Sequence, residues 1–133
     1  MRIPSFASLV NAGKVQPAVD EGRFLVDGYF LRDCLARVLN DVRVDEKWYL
    51  AAYPDVKKAI EDGSVADAKT HFIRFGYYEH RMPYAIPVDE QWYLRSYPDI
   101  AQAVNRRSFA SAQAHFDRFG YREGRLPHAG FAL

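Results

Sequence analysis

The chain has 133 residues, of which 49% are hydrophobic and 26% are charged, and its 18 Lys and Arg against 17 Asp and Glu leave a net charge of +1. This composition excludes an intrinsically disordered chain, and no run of about 18 apolar residues predicts a membrane span. The even charge balance argues against a nucleic-acid partner, because such binding depends on clustered Lys and Arg.

The N-terminal third, residues 1–43, predicts a short helix followed by weakly structured chain. Ser5 favours a helix through Asn11 that Gly13 ends, and residues 14–26 predict either a loop or a weak pair of extended segments. No signal peptide is recognised, so we expect a cytoplasmic protein, with secretion by a non-classical route as the alternative.

A clearer helical pattern follows over residues 29–42. Its apolar residues recur at helical spacing: Phe30, Cys34, Leu35, Val38, Leu39 and Val42. The pattern predicts one helix with a buried thiol at Cys34, which as the only cysteine forms no intrachain disulfide. The apolar face needs a partner, which is either the repeat that follows, capped by this helix, or the same helix of a second chain.

Two copies of one sequence follow, at a constant offset of 44 residues. VDEKWYLAAYPDV aligns with VDEQWYLRSYPDI, and HFIRFGYYEHRMP aligns with HFDRFGYREGRLP, without a gap. A repeat of this length is typical of helical units that stack on a shared core. The sequence therefore predicts an all-α fold in which two three-helix units, repeat 1 (44–87) and repeat 2 (88–133), stack on an N-terminal helical cap.

Two short helices open each repeat. Asp45 and Asp89 are favourable N-caps, because a carboxylate accepts the unpaired amides of a first helical turn. The predicted first helices are 46–52 and 90–96, and the second helices begin at Pro54 and Pro98. We expect Gly63 to stop the second helix of repeat 1, and Asn105, in the left-handed conformation, to stop that of repeat 2.

A third helix and a turn complete each repeat. The third helices are predicted from Ser64 to Gly76 and from Ser108 to Gly120, with the glycines as C-terminal stops. A turn that ends in Pro83 or Pro127 then closes the repeat. His80 stands where repeat 2 has Gly124, which predicts a different turn geometry in repeat 1.

The opening words YLAAYPDV and YLRSYPDI and the closing words GYYEHRMP and GYREGRLP resemble a short repeat that recurs in bacterial proteins. The resemblance covers residues 44–127. In such proteins the repeat lies beside glycosyltransferase domains that act on surface polysaccharides, or in large secreted proteins with calcium-binding nonapeptide repeats. This sequence contains neither companion. The resemblance therefore implies a bacterial accessory module in surface-polysaccharide or surface-protein biology, with no catalytic role.

Two histidines at matching positions, His71 and His115, invite a metal or catalytic interpretation. Neither has a second ligand at metal-binding spacing, so we expect each to hydrogen-bond a backbone group or carboxylate within its repeat. No catalytic motif is present either. The sequence predicts no catalytic residue, metal site or cofactor, and we expect the chain not to be an enzyme.

Matching acidic and basic residues also have local explanations. Asp55 and Asp99 fit the first turn of the second helix, where a carboxylate caps the helix and interacts with its dipole. We expect two Glu–Arg pairs to tie the closing turn to another helix: Glu79 with Arg81, and Glu123 with Arg125.

Aromatic and arginine residues are the remaining candidates for contact with a ligand or partner. Most aromatic rings must form the core of units with such short helices, but an exposed ring beside an arginine would suit a glycan. The candidate surface residues are Trp48, Tyr53, Trp92, Tyr97, Arg81, Arg125, Arg95 and Arg122.

Three functions remain open. The preferred one is a non-enzymatic protein–protein interaction or assembly module, because repeat stacks present extended surfaces and the N-terminal helix could self-associate. The second is a carbohydrate-binding module that uses exposed Trp, Tyr and Arg side chains. The third is a small nucleic-acid-associated protein, whose arginines would be Arg106, Arg107, Arg118, Arg122 and Arg125.

Overall fold

The structure is a computed structural model that describes residues 4–18 and 22–133, and the chain divides into two compact units between Asp41 and Val42. The N-terminal unit contains helix α1 (Phe6–Asn11), strands β1 (Val15–Pro17) and β2 (Phe24–Val26), and helix α2 (Gly28–Leu39). The strands pair antiparallel, with Val15 opposite Val26. The predicted first helix and the predicted pair of extended segments are confirmed.

Helix α2 buries a narrower stripe than the predicted one. It ends at Leu39, before the predicted end at Val42. Leu39 is buried and Leu35 is half-buried, whereas Cys34 and Val38 are exposed. Neighbouring positions lie about 100° apart around a helix, so the side of the predicted face that carries Leu35 and Leu39 is covered and the side that carries Cys34 and Val38 is not. The prediction of a buried Cys34 thiol is therefore wrong.

The two repeats form the second unit and have the same helical elements. Repeat 1 contains α3 (Glu46–Ala52), α4 (Pro54–Glu61) and α5 (Ala68–His71), and repeat 2 contains α6 (Glu90–Ser96), α7 (Pro98–Asn105) and α8 (Ala112–His115). Helices α5 and α8 each continue into a π-helical turn, Phe72–Gly76 and Phe116–Gly120. The predicted helical fold is confirmed, with the hairpin as a minor addition. None of the helices in residues 4–18 and 22–133 is long and apolar enough to cross a membrane.

The N-terminal caps of the first helices are the predicted ones, but those of the third helices are not. Asp45 accepts a hydrogen bond from the Trp48 amide at 3.0 Å. Asp67, rather than Ser64, caps α5, and Ser111 has the same role in repeat 2. Ser64 instead lies in a bend, where its amide is held by the Asp62 side chain. The third helices therefore begin later than predicted.

Helix stops follow position in the repeat rather than residue type. Gly63 has φ 81°, as predicted, but in repeat 2 it is Arg107, and not Asn105, that is left-handed, with φ 61°. His80 has φ 59° and Gly124 has φ 73°. The closing turns thus share one backbone geometry, and the predicted difference at His80 is wrong, because the fold holds each matching position in the same conformation.

A hydrophobic core joins the repeats. Its buried residues are Met82 and Ile86 from repeat 1, with Tyr93, Ile100, Ala112 and Phe116 from repeat 2. The Gln113 side chain fixes the linker between the repeats, since it donates to the Ile86 carbonyl at 3.0 Å and accepts from the Val88 amide at 2.8 Å. The predicted stacking of the two copies is confirmed.

Candidate functional site

A buried tyrosine–histidine pair lies inside each repeat. Tyr49 Oη lies 3.0 Å from Nδ1 of His71, and Tyr93 Oη lies 2.9 Å from Nδ1 of His115. The tyrosine is the hydrogen-bond partner in both repeats, where a backbone group or carboxylate was predicted, and in repeat 2 a carboxylate lies near the other ring nitrogen as well. The Glu123 carboxylate lies 3.8 Å from Nε2 of His115, which favours a proton on Nε2 and makes the Tyr93 hydroxyl the donor to Nδ1. Each pair joins the first helix of its repeat to the third.

Burial keeps both members of each pair uncharged. It lowers the pKa of His71 and His115 from the ordinary value of 6.5. Burial also raises the pKa of Tyr93 to about 12 and raises that of Tyr49. The two groups satisfy each other's hydrogen bond inside the repeat, so each pair is a buried polar contact between two helices.

The same hydroxyls account for the repeated glycines. A Cβ atom on Gly76 or Gly120 would overlap the Tyr49 or Tyr93 hydroxyl oxygen. The helical segments end at these glycines as predicted, but neither glycine has a positive φ, so the stop does not depend on a left-handed conformation. Glycine is needed there because the tyrosine approaches the backbone closely.

An arginine-centred cluster closes each repeat. Arg81 donates to both Asp55 oxygens at 2.9 and 2.7 Å and to Glu79 at 2.7 Å, and its guanidinium carbon lies 4.9 Å from the Tyr53 ring centroid. Arg125 likewise donates to both Asp99 oxygens at 3.0 and 2.8 Å and to Glu123 at 2.7 Å. Its guanidinium carbon lies 4.8 Å from the Tyr97 ring centroid. The prediction that the Glu–Arg pairs tie the closing turn to another helix is confirmed, since Asp55 lies on α4.

This cluster adds to the interpretation of Asp55 and Asp99. Both lie in the first turn of their helix, as predicted, and each also forms an ion pair with the arginine of its closing turn. The hydrogen bond from arginine is the main cause that lowers the pKa of both carboxyl groups. The Tyr53 hydroxyl accepts a hydrogen bond from the Met82 amide at 2.9 Å, and Tyr97 does the same for repeat 2.

The eight predicted surface residues therefore occupy different environments. Four of them belong to the closing clusters: Tyr53, Arg81, Tyr97 and Arg125. Trp48 and Trp92 are half-buried, and both pack against the core that joins the repeats. Arg95 and Arg122 are exposed.

The junction between the repeats identifies a surface that the sequence did not single out. We define the trailing face of a repeat as the side that faces the next repeat along the chain. In repeat 1 it consists of Met82 and Ile86, which belong to the core that joins the repeats, and of Trp48 and Tyr84, which pack against that core. The matching residues of repeat 2 are Trp92, Leu126, His128 and Gly130. Met82 is 7% exposed, whereas Leu126 is 39% exposed.

A second pair of exposed apolar residues lies outside this junction. Phe75 and Phe119 occupy matching positions and are both 40% exposed. Since stacking of repeat 2 does not cover Phe75, this position is not part of the trailing face. The guanidinium carbons of Arg74 and Arg118 lie 5.2 and 5.0 Å from these rings. The exposure of Leu126 is therefore specific to its place in the stack.

No group of three or more His, Cys, Asp or Glu within residues 4–18 and 22–133 is arranged to hold a metal ion. No protein-family model, curated protein or solved structure matches the chain. The surfaces of the molecule therefore carry the functional argument.

Proposed function

We propose that the chain is a non-enzymatic assembly module that associates with a second copy of itself through the trailing face of repeat 2. The exposure of Leu126, at the position where repeat 1 buries Met82, carries this proposal. Covering apolar surface is favourable by about 25 cal/mol per Å² removed from water. Within the chain, the equivalent surface is already covered by a repeat of the same sequence.

The junction inside the chain supplies the template for the contact between chains. Repeat 2 covers repeat 1 with a surface that includes Val88 and Gln113, and the matching residues of repeat 1 are Val44 and Lys69. Repeat 1 of a second chain therefore offers a related surface, which gives a head-to-tail arrangement. An ammonium group cannot accept the linker hydrogen bond that Gln113 accepts, so we expect the contact between chains to be weaker than the one within the chain.

Residues 44–127 resemble a bacterial repeat found beside polysaccharide-modifying domains. This resemblance supports assembly near a surface polysaccharide. An accessory module that self-associates would bring copies of an attached or bound partner together near a surface polysaccharide. This role requires no catalytic residue.

Sedimentation velocity over a wide range of protein concentration tests the proposal. The wild-type chain should associate as its concentration rises, and Leu126→Asp should remain monomeric while its circular dichroism is unchanged. Phe119→Gln is the matched control, because Phe119 has the same exposure as Leu126 but lies outside the trailing face, and it should associate as the wild type does.

Val38→Asp distinguishes the trailing face from the exposed side of helix α2, the other surface for self-association. We expect Val38→Asp to associate normally. A wild-type chain that stays monomeric at millimolar concentration would overturn the proposal. Association that survives Leu126→Asp and is lost in Val38→Asp would overturn it too.

A further inference from the structure

An open cleft of about 330 Å³ lies between the two repeats. Its lining residues are Tyr77, Tyr78 and His80 from repeat 1 and Tyr121 from repeat 2. The rings of Tyr77 and Tyr78 stand perpendicular, with centroids 5.3 Å apart, and form a corner of the cleft. The volume is at the lower end of the range of about 300 to 1,000 Å³ that is typical of small-ligand sites.

The inner rings of the cleft are held by the cores of their own repeats. Tyr77 packs edge-on against Phe72 with ring centroids 6.3 Å apart, and Tyr121 packs edge-on against Phe116 with ring centroids 6.0 Å apart. Burial raises the pKa of Tyr121 to about 12, so its hydroxyl keeps its proton and can donate a hydrogen bond at neutral pH. The cleft thus combines fixed aromatic surface with neutral polar groups.

His80 is held in an unusual backbone conformation at the edge of this cleft. Its φ of 59° lies in the left-handed region, where a histidine is strained and a glycine is not. Repeat 2 has glycine at the same position, Gly124, with φ 73°. The backbone alone would therefore favour glycine at position 80, and the imidazole is retained at a local cost in stability. Arg107 has the same conformation outside the cleft lining, so it is the strain together with a place in the cleft lining that points to a role for the His80 side chain.

We propose that this cleft binds a neutral saccharide. The apolar face of a pyranose ring would stack on a tyrosine ring, and its hydroxyl groups would exchange hydrogen bonds with the Tyr77 and Tyr121 hydroxyls and the His80 imidazole. None of the four lining residues carries an acidic group or a permanent positive charge. Phosphate and carboxylate ligands are normally held by arginine or lysine, so this lining favours an uncharged ligand.

The cleft is specific to the junction and independent of assembly through Leu126. The positions of repeat 2 that match Tyr78 and His80 hold Arg122 and Gly124, so repeat 2 lacks two of the residues that line this cleft in repeat 1. All four lining residues belong to one chain. Saccharide binding therefore goes beyond the proposed self-association and should occur in the monomeric Leu126→Asp variant.

The test titrates the Leu126→Asp chain with cellohexaose, maltohexaose and chitohexaose, with two-dimensional NMR of the backbone amides as the readout. We expect saturable binding of at least one hexasaccharide, with shifts confined to residues around the cleft. Hexagalacturonate and a thymidine hexanucleotide serve as the charged probes and should not bind there.

His80→Gly separates recognition from folding. It restores the residue that the backbone favours, so we expect the melting temperature to rise by about 3 °C while saccharide affinity falls at least tenfold. Phe119→Gln, which changes an exposed ring outside the cleft, should leave the affinity unchanged. Absence of binding by all three neutral hexasaccharides, unchanged affinity in His80→Gly, or binding only of a charged probe would each overturn the proposal.

Discussion

Repeat 1 and repeat 2 hold the same buried pairs at nearly the same distances, but their surroundings differ at the trailing faces. The tyrosine–histidine distance is 3.0 Å in one repeat and 2.9 Å in the other, and the arginine clusters agree equally well. Met82 is buried in the junction, whereas its counterpart Leu126 is exposed. The comparison shows that duplication preserved what each repeat needs to fold, while position in the stack decides which surfaces are free to bind.

The largest expected effect comes from the close approach of tyrosine to glycine. Gly76→Ala and Gly120→Ala should each lower the free energy of unfolding by about 2 to 3 kcal/mol, because the added methyl group has no space beside the tyrosine hydroxyl. Chemical denaturation measures this loss. A change below about 0.5 kcal/mol in either repeat would show that the backbone moves easily, and would contradict the close packing.

Removal of the hydroxyl should rescue these variants unequally. In Gly76→Ala with Tyr49→Phe, the nearest remaining atoms to the new Cβ lie 3.4 Å away, which is ordinary contact. In Gly120→Ala with Tyr93→Phe, Phe116 Cδ2 lies at 3.2 Å and remains tight. A double-mutant cycle should therefore show a larger favourable coupling in repeat 1 than in repeat 2. Absent coupling would mean that the hydroxyl is not the cause of the clash, and equal coupling would mean that Phe116 does not limit the rescue in repeat 2.

A smaller effect is expected at the linker. Gln113→Ala removes both hydrogen bonds that hold residues Ile86 and Val88, and should lower the free energy of unfolding by about 1 to 2 kcal/mol. The matched change in repeat 1, Lys69→Ala, should alter it by less than about 0.5 kcal/mol. Equal losses at the two positions in urea denaturation would argue against a special role for Gln113.

The buried histidines predict a pH dependence. Burial lowers their pKa below 6.5 in the folded chain, so the unfolded chain binds protons more readily. The stabilising contribution is complete above pH 6.5 and is lost as the pH falls below that value. Asp55 and Asp99, whose pKa values are lowered from 3.8, keep their contribution until more acidic pH.

The two histidines should also differ from each other. Burial is the main cause of both pKa shifts, but the second cause differs. The positive charge of Arg81 lowers the pKa of His71 further, whereas the negative charge of Glu123 raises the pKa of His115. In an NMR titration, His71 should therefore take up its proton at lower pH than His115. Protonation of either ring above pH 6.5 would contradict the burial of these pairs.

The smallest expected effect lies at the end of the second helices. Arg107→Gly should raise the free energy of unfolding by about 0.5 to 1 kcal/mol, because glycine adopts φ 61° without strain. Gly63→Ala should lower it by a similar amount, since an alanine at φ 81° is strained. In thermal unfolding, the melting temperatures of the two variants should shift in opposite directions. Shifts in the same direction would show that the left-handed conformation does not determine how these substitutions change stability.

Local rules were sufficient for the parts of the fold that depend on neighbours in sequence. The caps at Asp45 and Asp89 and the helix starts at Pro54 and Pro98 agree with prediction to the residue. These features involve groups within four residues of one another, so the sequence carries their signal directly.

Features that depend on distant partners were harder to predict. The function of Gly76 is set by Tyr49, and that of Asp55 by Arg81, which lies 26 residues away. Neither partner can be identified from spacing alone. Cys34 was misplaced because the pattern indicates an apolar face without fixing which stripe of it is covered. The cleft residue His80 did give a signal in the sequence, as a histidine at a glycine position, but its significance required the backbone angle.

Methyl NMR spectra of the wild-type chain, recorded from micromolar to millimolar concentration, test association through the trailing face most directly. The methyl signals of Leu126 should shift or broaden as concentration rises, while the Met82 methyl signal, which is already covered inside the chain, should stay constant. Leu126 signals that do not change with concentration would contradict assembly through repeat 2.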